Sequence, residues 1–309
     1  MSAKSPSSAK PAARRRSSRL QRKQRIGLLF VAPAVAFVVL FFVLPLIMTA
    51  WMSLHNWPLL GLPKFIGLKN YSLMLHDTKF WKAMGFTIYY TVIVTIVIFL
   101  IAFPLALFVE KPRPLSGFYR TAFFLPGVVG FGAASLLWVW LLNADAGLFG
   151  PAIQRLGWSE RPPNLLADFD TTFWSIVLMV AWKTAGFTMI ILLTGLQGIP
   201  QDIQEAARID GANSWQRFRR ITLPLMRRTI ALALILSVAG SMLAFDQFYI
   251  ISGGGPRGST LTAVYWIFTQ SFASFHLGYG AALSMVLLVI LVAISTIQLR
   301  LLRNPEGMK

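Results

Sequence analysis

Residues 85–109, GFTIYYTVIVTIVIFLIAFPLALFV, run for 25 positions without one charged side chain. At about 1.5 Å of rise per residue, a helix of that length crosses the roughly 30 Å of hydrocarbon in a bilayer. Five other stretches are of similar length and nearly as apolar: 26–51, 121–142, 172–196, 229–251 and 278–302. Together they dominate a chain that is 56% hydrophobic and 13% charged, with a mean hydropathy of +0.62. A soluble domain of 309 residues needs far more charge to cover its surface. The sequence therefore predicts an all-α integral membrane protein with six transmembrane helices. Pro33, Pro45, Pro104, Pro126, Gly186 and Gly240 fall inside these runs, where neighbouring helices re-satisfy the backbone groups they free.

The net charge of +18 does not point to nucleic acid, because the basic residues flank the apolar runs. Their placement sets the orientation instead. With the N-terminus inside, 21 of the 29 lysines and arginines fall on inner segments and seven on outer loops, while Lys183 lies within a span. The excess predicts both termini in the cytoplasm. Residues 1–25, rich in Ser, Ala, Lys and Arg, read as a disordered basic tail. They are not the start of a signal peptide: the apolar run that follows is too long, and no small-residue cleavage site comes after it. The six-span transmembrane domain then covers 26–302, and 303–309 form a C-terminal cytoplasmic tail. With no cysteine, disulfides and thiolate chemistry are excluded.

One inner segment, about 198–227, is unlike the rest. Its centre reads EAARIDGANSWQRFRRITLP (205–224). Pro200 is placed to open a helix through QDIQEAARI, and Gly211 to end it in a left-handed turn. Asn213 and Gln216 have capping-box spacing for a second helix. Trp215, Phe218, Thr222 and Leu225 share one face of it, and Pro224 ends or kinks it. Two uses fit such a bent pair. It either lies on the anionic inner leaflet or docks a cytoplasmic protein.

Here the residues carry a resemblance. Glu205-Ala206-Ala207, Gly211, Ile221, Leu223 and Pro224, with Asp210 and Ala212 completing "DGA", match the cytoplasmic motif of permease subunits of binding-protein-dependent ABC importers. FIGLKNY (65–71), RTAFFLP (120–126), FDQFYIISGGGP (245–256) and LGYGAALS (277–284) resemble the carbohydrate, maltose-type branch. The resemblance covers roughly 26–302. It implies a type I importer permease whose coupling helix seats Glu205 against an ATP-hydrolysing subunit, with the glycine making the corner. It also implies a second homologous permease, two ATPase copies using ATP and Mg, an extracytoplasmic solute-binding protein, and a bacterial or archaeal inner membrane. No cofactor is expected on this chain.

The sequence carries no catalytic constellation of its own. GGGPRGST (253–260) approaches a phosphate loop, but Ser259 stands where the lysine belongs. His55, His76 and His276 lack metal-ligand spacing. Two ionisable residues fall at membrane depth, Lys183 and Asp246. They pair with each other, or Lys183 snorkels, or they face the solute. The resemblance places a transmembrane sugar site at WKTAGF (182–187) and Asp246-Gln247, giving Lys183, Thr184, Phe187, Asp246 and Gln247 as pathway residues. The acid at 246 departs from the asparagine of the maltose pattern. Ser237, Ser241, Tyr89 and Tyr90 are weaker candidates, suited to helix–helix hydrogen bonds. The outer loops 52–84 and 143–171, with Trp57, Phe65, Tyr71 and Trp158, either meet the binding protein or serve as interfacial anchors. The rival reading is a stand-alone secondary transporter or channel using Lys183 and Asp246 as an ion relay; it lacks an evident inverted repeat and leaves the polar segment without a task.

Overall fold

The computed structural model describes residues 30–111 and 114–302. The basic tail at 1–25 and the segment 303–309 lie outside the described residues. Among the described residues, four helices are long and apolar enough to cross a membrane: α1 (Phe30–Ser53), α3 (Thr78–Glu110), α7 (Phe169–Gln197) and α12 (Leu277–Leu302). Two bent pairs bring the number to as many as six: α4 (Ser116–Val128) with α5 (Phe131–Leu142), and α9 (Ser214–Leu225) with α10 (Arg227–Met242). The other helices are short: α2 (Lys69–Leu75), α6 (Phe149–Arg155), α8 (Gln201–Ile209) and α11 (Ala263–Phe268). A two-residue hairpin, β1 (His55–Asn56) against β2 (Lys64–Phe65), closes the loop after α1.

Two expected spans differ from the structure. The run 121–142 is not one helix. It bends by 95° at Val129–Gly130, just past Pro126 and Gly127, where α4 gives way to extended backbone. The run 229–251 is helical only to Met242, after which the chain turns through 243–245 before a short helical turn carries it to Ser252. Backbone polar groups freed inside a membrane need partners within the protein, and at both breaks side chains from distant helices supply some of them. Thr262 Oγ1 donates to the Ala244 carbonyl at 2.8 Å and caps α11 by accepting from Tyr265 N. Ala263 N donates to Thr87 Oγ1 on α3 at 2.8 Å. At the first break Lys183 donates to the Gly127 and Val129 carbonyls.

The helices assemble on three buried clusters. One joins α3, α5 and α7 through Tyr90, Trp138 and Phe173 to Phe248. A second, near the polar segment, packs Ala102, Ala106, Met189, Leu192 and Met226. A third, at the opposite end, packs Phe80, Met84, Met242, Leu283 and Leu287. Outside these clusters the surface is inverted relative to a soluble protein: Leu100, Val289 and most of α1 are exposed. Such a surface is stable only against hydrocarbon or another apolar chain.

Candidate functional site

The polar segment is an elbow with a defined corner. α8 starts after Pro200 and ends at Ile209. Gly211 then adopts φ +79°, a conformation that costs glycine nothing and other residues a steric clash. Its N–H donates to the Arg208 carbonyl at 3.1 Å, and Ala212 N donates to the Ala207 carbonyl at 3.0 Å. These paired bonds form a Schellman turn. Asn213 opens α9 with a complete capping box: its side chain accepts from Gln216 N at 2.8 Å, and Gln216 Oε1 accepts from Asn213 N at 2.9 Å.

The two arms are tied to each other and to the bundle. Gln204 Nε2 donates to Thr222 Oγ1 at 3.3 Å. Phe218 stacks on Trp215 and meets Phe103 of α3 edge-on at 5.5 Å. Ala207 and Thr222 are buried in the joint, whereas Glu205, Ala206, Asp210, Gly211 and Pro224 are exposed; Ala212, Ile221 and Leu223 are half-buried. Trp215, Phe218 and Thr222 share the face expected of α9, lining one groove with Leu107 and Gln204, although Trp215 is itself exposed; Leu225 is exposed and does not join that lining. A wide helical turn at Phe218–Thr222, closed by Leu223 N on the Phe218 carbonyl, shifts the register before Pro224. Ile209 is 87% exposed at the corner, between the acids of α8 and Gly211. A groove of about 520 Å³ at the base is lined by Glu110, Lys111, Gln204, Arg208 and Arg217, among others.

In the membrane interior the expected pathway residues divide. Lys183 is only 5% exposed, and its ammonium donates to the carbonyls of Gly127, at 3.2 Å, and Val129. It also lies 4.5 Å from the centre of the Phe131 ring. Its hydrogen bonds therefore go to backbone and not to Asp246, which is exposed. Gln247 is buried and donates to the Tyr90 hydroxyl at 3.3 Å. Thr184 returns its hydroxyl to the Val180 carbonyl, and Phe187 is half exposed. Next to Asp246, Phe245 and Tyr249 stack at 5.1 Å and join Tyr265 and Phe268 in one aromatic cluster.

Sequence reasoning missed two tie-points. Asp77 caps α3 by accepting from Lys79 N and Phe80 N, and it also accepts from Trp266 Nε1 at 2.9 Å and Tyr279 Oη at 2.7 Å. Burial opposes its charge, but these four hydrogen bonds outweigh that and hold the carboxyl below its ordinary value. Arg120 reaches across to the Val109 carbonyl near the end of α3, at 2.8 Å from Nη2. The Asp-x-Lys-Phe start of α3 carried a capping signal, but nothing local announced the distant Trp266 and Tyr279.

Residues 79–304 match the family described as the binding-protein-dependent transport system inner membrane component. The chain belongs to that family. It is thus a multi-pass membrane permease, a transport component and not an enzyme. Curated relatives match this permease nearly end to end. The trehalose/maltose transport system permease protein MalF of Thermococcus litoralis is 32% identical over 90% of this chain and 94% of its own. The sn-glycerol-3-phosphate transport system permease protein UgpA of Agrobacterium fabrum is 32% identical over 88% and 92%. The probable starch degradation products permease AmyD of Thermoanaerobacterium thermosulfurigenes is 30% identical over 90% and 94%. The permease fold is shared with a bacterial alginate ABC transporter crystallised with its alginate-bound periplasmic protein, at a TM-score of 0.79, 19% identity, and coverage of 91% and 95%.

Proposed function

We infer that this permease forms the membrane pathway of an ATP-driven importer for a sugar, or a related polyol or sugar phosphate, handed over by an extracytoplasmic binding protein. In this reading both bent pairs count as spans, giving six, with both termini in the cytoplasm of a bacterial or archaeal cell. A second, similar permease completes the pathway, and two copies of a separate subunit hydrolyse ATP with Mg.

The elbow carries this reading. The α8 arm exposes Asp202, Glu205 and, at its C-cap, Asp210 against a single arginine, Arg208, an acidic excess that an anionic leaflet repels, beside an almost fully exposed Ile209. An apolar tip among carboxylates suits a protein cleft better than headgroups. The Schellman corner, the capping box and the Gln204–Thr222 bond make the elbow stiff, as a lever between a motor and a bundle must be. The ion-relay alternative is weaker, since Lys183 spends its protons on carbonyls.

For the solute, we assign Asp246, Phe187 and Thr184 to the wall that faces the path, with Lys183 and Gln247 supporting it from behind. An exposed carboxylate is intolerable against hydrocarbon, so its side must be wet or covered by the partner permease. The aromatic cluster beside it offers the flat apolar faces that sugars stack on. The test is purification. The permease should bring down an ATPase, and uptake in proteoliposomes should require ATP hydrolysis; solute movement by the chain alone, without nucleotide, refutes the assignment.

A further inference from the structure

The 95° break between α4 and α5 has no partner in the sequence around it. In an uninterrupted helix the Gly127 carbonyl would accept from Phe131 N–H, and the Val129 carbonyl from Ala133 N–H. The break removes both bonds, and in α5 the first intrahelical acceptor is instead Gly130, bonded by Ala134 N. A carbonyl left without a donor inside a membrane is strongly unfavourable. Of the carbonyls the break frees, these two are met by one side chain, Lys183 from the middle of α7.

We propose that Lys183 is the positioning residue that sets the bend of the third membrane segment, its ammonium acting as a fixed cation on the open end of α4. Three features fit that role. The C-terminal end of a helix carries partial negative charge and favours a cation. The Phe131 ring covers another face of the ammonium, so a nearly buried charge is met by two carbonyls and an aromatic face. Glycines bring the backbones close enough for the reach: a Cβ on Gly186 would overlap the Phe123 carbonyl, and one on Gly127 would sit 3.4 Å from the Lys183 carbonyl.

The bend matters because of what α5 touches next. A Cβ on Gly132 would lie 3.8 Å from Ile250 Cδ1, so the first turn of α5 packs on the helical turn that follows Asp246 and Gln247. Lys183 therefore positions the Asp246 segment through α5 and makes no demand on the solute's charge. This inference does not depend on which solute is carried.

The test uses the permease assembled with its partner subunits in proteoliposomes. The chain has no cysteine, so spin labels at Phe118→Cys and Trp140→Cys report one distance once any partner cysteines are replaced by serine. Two arms of about 16 Å meeting at the observed bend put those positions about 22 Å apart, against about 33 Å for a straight helix. The unmodified position and Lys183→Arg, which keeps charge and donors, should both give the short distance. Lys183→Met should shift a substantial population toward the long one. A Lys183→Met distance that stays short overturns the proposal, as does a Lys183→Arg distance that lengthens as much as Met.

Should Lys183→Met fail to accumulate, the unmutated complex decides. With ζ-¹⁵N-lysine and carbonyl-¹³C-valine, solid-state dipolar recoupling should detect a close nitrogen–carbonyl pair that vanishes in Lys183→Arg. Absence of that pair overturns the proposal.

Discussion

Replacing Gly211 separates a lever from a mere loop. The residue sits at φ +79°, and a Cβ added there meets nothing within 4 Å. Substitution therefore costs backbone strain and no steric contact. For Gly211→Ala the left-handed conformation costs about 1–2 kcal/mol, a factor of roughly 5–30 in the population of the formed corner. Gly211→Asn should cost less, since asparagine tolerates this region. Gly211→Pro is different in kind: its ring fixes φ near −65° and deletes the donor to Arg208. The corner must then open, and the Ala212–Ala207 bond goes with it. If the elbow transmits work, ATP-driven uptake in proteoliposomes should fall in the order Gly, Asn, Ala, Pro, with proline abolishing it while the protein still reaches the membrane. Undiminished uptake by Gly211→Pro, or alanine worse than proline, refutes the reasoning.

Further outcomes follow from other sites. Glu205→Lys, on an exposed position of α8, should abolish uptake without loss of membrane insertion; membrane fractionation with a transport assay checks both. Asp246→Ala should alter the apparent affinity for solute, read by solute-stimulated ATPase activity, while the subunits still copurify; unchanged stimulation would make Asp246 structural. Asp77→Asn should destabilise the solubilised protein by about 1–2 kcal/mol, the value for charge-assisted bonds reduced for partial exposure. Because the folded Asp77 carboxyl is held below 3.8, its contribution is complete above that pH and fades as pH falls through the folded value. The gap in melting temperature between the unmodified protein and Asp77→Asn should therefore close in acid.

The parts legible in sequence were those written locally. An unbroken apolar run fixes α3, and Pro200, Gly211 and the Asn213–Gln216 pair fix the elbow, because caps and turns are decided by neighbours within a few positions. The breaks were not legible. Residues 121–142 read as one span because hydropathy counts side chains, whereas the break depends on whether freed carbonyls find a donor. That donor, Lys183, is more than fifty positions away. The same holds at 243–245, where the partner is Thr262. Lys183 itself stood out as an intramembrane charge, but its direction, toward backbone and away from Asp246, is a property of packing. The distribution of Leu225 failed for a smaller reason: one wide turn moves every later residue around the helix.

The pairing of α1 with α12 bears on how the chain is made. α1 buries none of its most apolar window against the described residues, and among the long helices it packs on α12, which comes much later in the sequence. During synthesis α1 therefore waits in lipid, without that partner, until the helices between the two in sequence have been inserted. Nascent chains halted before residue 277 should hold α1 loosely enough for chaperones or quality-control proteases to find it, and completion of α12 is the step that withdraws it from them.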